Sequence, residues 1–119
     1  MRNILLIDDD PAIYHTMQIV LDSVGCNLVY FDDTAPAAQY INAGNKIDLI
    51  ILDIMIPGQS GLEFMNVISG MGCKAPVLII SAIDTARAAT EALKKGALDY
   101  ITKPFTLEHM KEAVQKLLN

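Results

Sequence analysis

Apolar residues in this chain gather in short unbroken runs: Ile4–Ile7, Leu28–Phe31, Leu49–Leu52, Val77–Ile80 and a weaker Leu98–Ile101. Runs of this length without alternation fit strands buried on both faces, as in parallel sheets covered by helices. Between the runs the period changes. From Ile13 the apolar positions step to Met17, Val20, Leu21 and Val24, and Leu107, Met110, Val114 and Leu117 repeat that spacing near the end. Each set falls on one face of a helix.

The punctuation agrees with this alternation. Asp10-Pro11 reads as an N-cap followed by proline in the first turn, and Gly25 stands where that helix should close. Ser60-Gly61-Leu62-Glu63 has the form of a capping box, Asp84 and Thr106 are the expected caps of the fourth and fifth helices, and Gly96 should end the fourth. Strand and helix therefore alternate five times with short connections, which predicts an α/β fold with a mainly parallel sheet. With no linker, low-complexity stretch or internal repeat, residues 1–119 read as one domain.

The first strand ends abruptly in Asp8-Asp9-Asp10. Like charges about 4 Å apart at an effective dielectric of ~20 repel by roughly 4 kcal/mol per pair. Such a cluster needs solvent or a cation. In open parallel sheets the carboxyl ends of the strands form the ligand-binding rim. Strand three runs into Asp53, strand four into Ser81, and strand five leads through Thr102 to Lys103-Pro104-Phe105. If these strands are parallel, Asp8, Asp9, Asp53, Ser81 and Lys103 share one rim.

Those residue types suit phosphoryl transfer. Carboxylates hold a hard divalent cation, which would relieve their repulsion and offset phosphoryl charge. A carboxylate can also act as nucleophile and carry an acyl phosphate. Ser81 offers a donor to one phosphoryl oxygen and Lys103 a point charge to another. Positioning and electrostatics are most of what this chemistry asks of a protein.

Taken together, "ILLIDDDP", "LIILDIMIPGQSGLE", "VLIISA" and "GALDYITKPF" resemble the receiver domain of two-component response regulators, from Arg2 to about Leu118. The resemblance implies a doubly wound, flavodoxin-like sheet of five parallel strands in order 2-1-3-4-5, with helices on both faces. It implies Asp53 as phosphoacceptor and Mg²⁺, with Mn²⁺ as a substitute, at Asp8, Asp9, Asp53 and the backbone carbonyl of Met55. Ser81, Lys103 and Tyr100 match the family's switch serine, lysine and aromatic position, and the Lys103–Pro104 bond is expected to be cis. Tyr100 is expected to turn inward into space that Ser81 vacates. Met55 and Ile83 stand where the family tunes phosphate lifetime; both are bulky and apolar here, which implies slow self-dephosphorylation.

The implied partners are a sensor histidine kinase or phosphotransfer protein, docking near Ile13, Tyr14 and Met17 of helix one, and an output domain or downstream protein. The output surface would be the helix-four, strand-five, helix-five face, which could also serve a homodimer. Apart from its own phosphorylation and dephosphorylation, no enzymatic activity is expected. Asp10 is left as a cap.

Composition narrows the field. The 119 residues carry a net charge of −5, and no basic run exceeds Lys94-Lys95, so direct nucleic-acid binding is not expected. No apolar run approaches the about 18 residues of a membrane span, and no signal-like segment leads the chain, so a cytoplasmic location is expected. Cys26 and Cys73 are expected to be buried thiols, and His15 and His109 to face solvent on their helices. The Ala-rich fourth helix has few large side chains to anchor it, a feature of mobile segments.

Three other functions compete. A haloacid-dehalogenase-like phosphatase could use the Asp-x-Asp of residues 8–10, but Ala12 replaces its expected Thr or Val and its late acidic pair is absent. A flavin carrier would need a phosphate loop where these acids stand, and no P-loop segment exists. A receiver-like module that never takes phosphate would be expected to lack one of the five key positions.

Overall fold

A computed structural model of the chain describes residues 1–56 and 59–119; Pro57 and Gly58, within the DIMIPGQSG motif, lie outside the described residues. The elements are β1 (Asn3–Ile7), α1 (Pro11–Ser23), β2 (Asn27–Phe31), α2 (Thr34–Asn42), β3 (Leu49–Asp53), α3 (Gly61–Gly70), β4 (Val77–Ser81), α4 (Ala86–Lys94), β5 (Asp99–Thr102) and α5 (Leu107–Leu118). All four strand pairings are parallel, and the order is β2-β1-β3-β4-β5.

The unbroken apolar runs are explained by what each strand faces. Successive side chains point to opposite sides of a sheet, and both sides here are covered. Leu5, Ile7, Ile50, Leu52 and Ile79 join Ala37 and Ile41 of α2, Phe64, Met65 and Ile68 of α3, and Ala92 of α4. Ile4, Leu6, Leu49, Ile51, Leu78 and Ile80 pack instead on Met17, Val20 and Leu21 of α1 and Met110, Ala113 and Val114 of α5. The central strands β3 and β4 are buried throughout, whereas the edge strand β2 is only partly covered.

Most caps fall where the sequence puts them. Asp10 accepts from the Ala12 N–H, Ser60 from that of Glu63, and Thr106 from that of His109. The fourth helix differs: its cap is Thr85, whose hydroxyl accepts from the Ala88 N–H, not Asp84. Two adjacent capping types left the choice to backbone placement. Gly25 and Gly96 follow their helices with φ of 70° and 110°, conformations that favour glycine.

Other expectations change in detail. Leu98 precedes β5 and is 58% exposed, because that strand begins at Asp99. Met17 is fully buried beneath α1, so it cannot belong to a docking surface with the half-buried Ile13 and Tyr14. Cys26 is buried, but Cys73 is only half-buried, on the turn that follows α3. His15 and His109 are exposed, and α4 buries only Ala92. Among the described residues no helix is long and apolar enough to cross a membrane.

Candidate functional site

Parallel alignment brings the strand ends to one rim. Ile7 pairs with Leu52 in register, so Asp8 and Asp53 each follow a matched strand end. Asp53 pairs with Ile80, which sets Ser81 one step further along the adjoining strand, and Ser81 pairs with Thr102. Lys103 follows directly; its N–H donates to the Ser81 carbonyl at 2.7 Å, and its bond to Pro104 is cis.

Three carboxylates meet there. Asp8, Asp9 and Asp53 each bring an oxygen within 4.8 Å of the others, with Asp8 and Asp53 buried and Asp9 exposed. The Lys103 ammonium bridges the buried pair, 2.8 Å from Asp8 Oδ2 and 2.9 Å from Asp53 Oδ2. When all are ionised, three carboxylates facing one ammonium leave negative charge in excess. Burial pushes the Asp8 carboxyl above its ordinary pKa, reinforced by Asp53, although Lys103 and the Asp10 N–H oppose the rise. Burial also works against the Lys103 ammonium, but its close pairing with the Asp8 and Asp53 carboxylates outweighs it and holds its pKa above the usual value.

The donor set suits a hard divalent cation. All three side chains offer carboxylate oxygens. Asp8 Oδ2 is completely buried and has no hydrogen-bond partner among the described residues; its contact with Lys103 is one of charge, without hydrogen-bond geometry. A buried, half-satisfied carboxylate oxygen is costly unless charge reaches it.

A stability prediction follows from the burial of Asp8. Because its folded pKa is raised, the native state holds the proton more tightly than the unfolded chain, and stability falls as pH rises from 3.8 through the folded value. In metal-free buffer at neutral pH, Asp8→Asn should therefore unfold at higher urea than wild type. The difference should shrink on acidification through the Asp8 titration. A variant less stable than wild type at neutral pH would refute this.

The remaining predicted residues surround the cluster. Met55 donates its N–H to Asp53 Oδ1 at 3.1 Å while its side chain stands 61% exposed at the rim. Ser81 is fully buried, and its hydroxyl accepts from the Ile83 N–H at 3.0 Å. Ile83 does not lie open at the rim; its side chain packs partly against the core.

Tyr100 is half-buried and faces the loop between β4 and α4. Its hydroxyl already donates to the Ile83 carbonyl at 2.6 Å and its ring packs on the core while Ser81 still holds the Ile83 N–H. Both contacts coexist because one residue's backbone offers a donor to Ser81 and an acceptor to Tyr100.

Sequence reasoning missed two supports. Gly61, read only as part of a cap, lies so close to β3 that a β-carbon there would overlap the Asp53 carbonyl oxygen and come within 2.8 Å of Ile54 Cα. Tyr30, at the end of β2, donates its hydroxyl to the Asp8 carbonyl at 2.7 Å. Strand order alone could have flagged Tyr30 as a neighbour of Asp8, though not the direction of its hydroxyl.

This parallel sheet with acids at its carboxyl rim defines a known class. The chain belongs to the response regulator receiver domain family, which it matches over residues 4–115. It is 33% identical over 115 residues to Response regulator MprA of Mycobacterium tuberculosis, covering 97% of this chain and 50% of that protein. Transcriptional regulatory protein MalR of Bacillus subtilis is 32% identical over 115 residues, covering 96% and 49%. The chain thus spans about half the length of these curated relatives.

Solved structures agree. The Francisella response regulator 1452 receiver domain superposes with a TM-score of 0.91 at 30% identity, covering 99% of this chain and 97% of that one. The CheX-CheY-BeF3-Mg+2 complex from Borrelia burgdorferi gives 0.90 at 27%, covering 99% and 90%.

Proposed function

We propose that this chain, as a single cytoplasmic receiver domain, takes a phosphoryl group onto Asp53 in a Mg²⁺-dependent reaction and relays its arrival to an output domain or partner protein. One observation carries the reading: Lys103 bridges Asp8 and Asp53, from two different strands, with Asp9 beside them. The donor would be a sensor histidine kinase or a phosphotransfer protein, docking near Ile13 and Tyr14. Its relatives named as regulators are about twice as long, which supports an output carried elsewhere in such proteins.

An Asp53 carboxylate oxygen attacks phosphorus as the bond to the donor's imidazole nitrogen breaks, and the electron pair leaves with that nitrogen. The Met55 N–H on Oδ1 and Lys103 on Oδ2 orient the carboxylate beforehand. Mg²⁺, or Mn²⁺ in its place, held by Asp8, Asp9, Asp53 and the Met55 carbonyl, would supply Lewis-acid charge against the phosphoryl oxygens. Lys103 then exchanges its contact with Asp53 for a phosphoryl oxygen.

Ser81 is the second responder. Turning its hydroxyl toward the phosphoryl group gives up the Ile83 N–H, and the loop into α4 loses one of its two anchors. Tyr100 keeps the other. With only Ala92 buried, α4 offers little resistance to a shift. Leu93 of α4 and Leu98 just before β5 are exposed, and an output partner or a second copy on the α4-β5-α5 face would sense the change. The modification thus biases a two-state equilibrium.

Intact mass after incubation with acetyl phosphate tests the proposal. The expected result is one phosphoryl group per chain with Mg²⁺ and none with EDTA. Continuous release of phosphate at many equivalents would favour the phosphatase alternative, and no labelling would favour an inert module.

Lifetime offers a narrower prediction. Met55 places an exposed thioether where a polar side chain could help position the attacking water. Met55→Asn should hasten loss of phosphate by about tenfold, equivalent to about 1.4 kcal/mol of barrier. Equal decay of the two phosphorylated proteins would end the idea.

A further inference from the structure

The Asp9 carboxylate, exposed to solvent, accepts no hydrogen bond among the described residues. Its position must come from the backbone that carries it. The peptide joining Asp8 to Asp9 presents the Asp8 carbonyl, and the Tyr30 hydroxyl donates to that oxygen at 2.7 Å. The Asp8 N–H, on the preceding peptide, donates to the Phe31 carbonyl at 3.2 Å. Both bonds come from the end of β2, so the edge strand holds the peptide groups before and after Asp8.

Tyr30 is itself held. Its ring stacks on Tyr14 of α1 with centroids 4.5 Å apart and planes 22° from parallel. The Tyr14 hydroxyl in turn accepts from Gln18 Nε2 one helical turn on. The loop between β1 and α1 is therefore spanned by an aromatic brace from the sheet edge to the helix.

We propose that Tyr30 is a positioning residue for the divalent cation: by fixing the plane of the Asp8–Asp9 peptide it sets where the Asp9 carboxylate stands relative to Asp8 and Asp53. The inference rests on the metal reading of the acidic cluster. Partners that orient ligands without touching the ion commonly govern affinity by 10- to 100-fold. A single hydroxyl acting through the backbone belongs at the lower end, about tenfold.

The decisive variant is Tyr30→Phe, which deletes one oxygen and keeps the ring on Tyr14. Mg²⁺ affinity is read from the rise in urea midpoint with added MgCl₂, and independently from tyrosine fluorescence, which no tryptophan masks. Wild type, Tyr30→Phe and Asp9→Asn are compared.

The expected result is a Mg²⁺ dissociation constant about tenfold weaker in Tyr30→Phe and weaker still in Asp9→Asn. A merely structural hydroxyl would lower the midpoint equally with and without Mg²⁺ and leave the constant unchanged. If Asp9→Asn loses affinity while Tyr30→Phe stays within about twofold of wild type, the positioning role is overturned and the metal reading stands. If wild type and Asp9→Asn respond to Mg²⁺ alike, the metal reading fails and this role falls with it.

Discussion

Asp53→Asn should take up no phosphoryl group from acetyl phosphate under conditions that label wild type completely. The amide nearly reproduces the shape of the carboxylate and can still accept the Met55 N–H. It removes the negative charge that attacks phosphorus, and an amide oxygen is a poor nucleophile. Lys103 loses one of its two carboxylates but keeps Asp8 at 2.8 Å. The fold should survive, since one member of a crowded acidic cluster has been neutralised. Intact mass together with a urea melt separates lost chemistry from lost structure. Undiminished labelling of a folded Asp53→Asn protein would move the acceptor elsewhere and dismantle the proposed mechanism.

Gly61→Ala should produce the largest loss of stability among single-methyl additions near the site. The first residue of α3 stands against the backbone of β3, and its N–H donates to the Ile54 carbonyl at 2.7 Å. An added β-carbon would collide with the Asp53 carbonyl oxygen and Ile54 Cα, which are main-chain atoms with no rotamer to escape into. Overpacking typically costs 1–3 kcal/mol, and a backbone collision belongs at about 3 kcal/mol or more. Whatever shifts must be α3 or the strand end that carries Asp53, so residual folded protein should also phosphorylate more slowly. An unfolding free energy within about 0.5 kcal/mol of wild type would show that the contact relaxes freely. Gly70→Ala, with open space around its β-position, is the matched control.

The alternation of strands and helices was readable because two periodicities leave separate marks. Unbroken runs such as Leu49–Leu52 arise only if both faces of a strand are covered, and they forecast the two cores on either side of the sheet. The caps at Asp10, Ser60 and Thr106 were local, so a few adjacent residues sufficed to find them. Thr85 was not, because Asp84 and Thr85 both carry capping side chains and the backbone bend that chooses between them depends on how the β4–α4 loop packs. The same limit applied to Met17. Its spacing placed it on the apolar face of α1, but only packing against the sheet decided that nothing of it remained at the surface.

For the site, the chain's order of residues settled which acids, hydroxyl and lysine stand at strand ends, since a parallel sheet delivers every strand's carboxyl end to one edge. It could not settle how those groups share charge. That Lys103 joins Asp8 to Asp53, that Tyr100 reaches the Ile83 carbonyl, and that Tyr30 reaches the Asp8 carbonyl are contacts between residues far apart in sequence. Hydrogen bonds and ion pairs depend on tenths of an ångström and on direction, whereas periodicity constrains only which face a side chain occupies. Local pattern therefore chose the parts and the rim on which they stand; their distances and angles came from the strands and helices closing around one another.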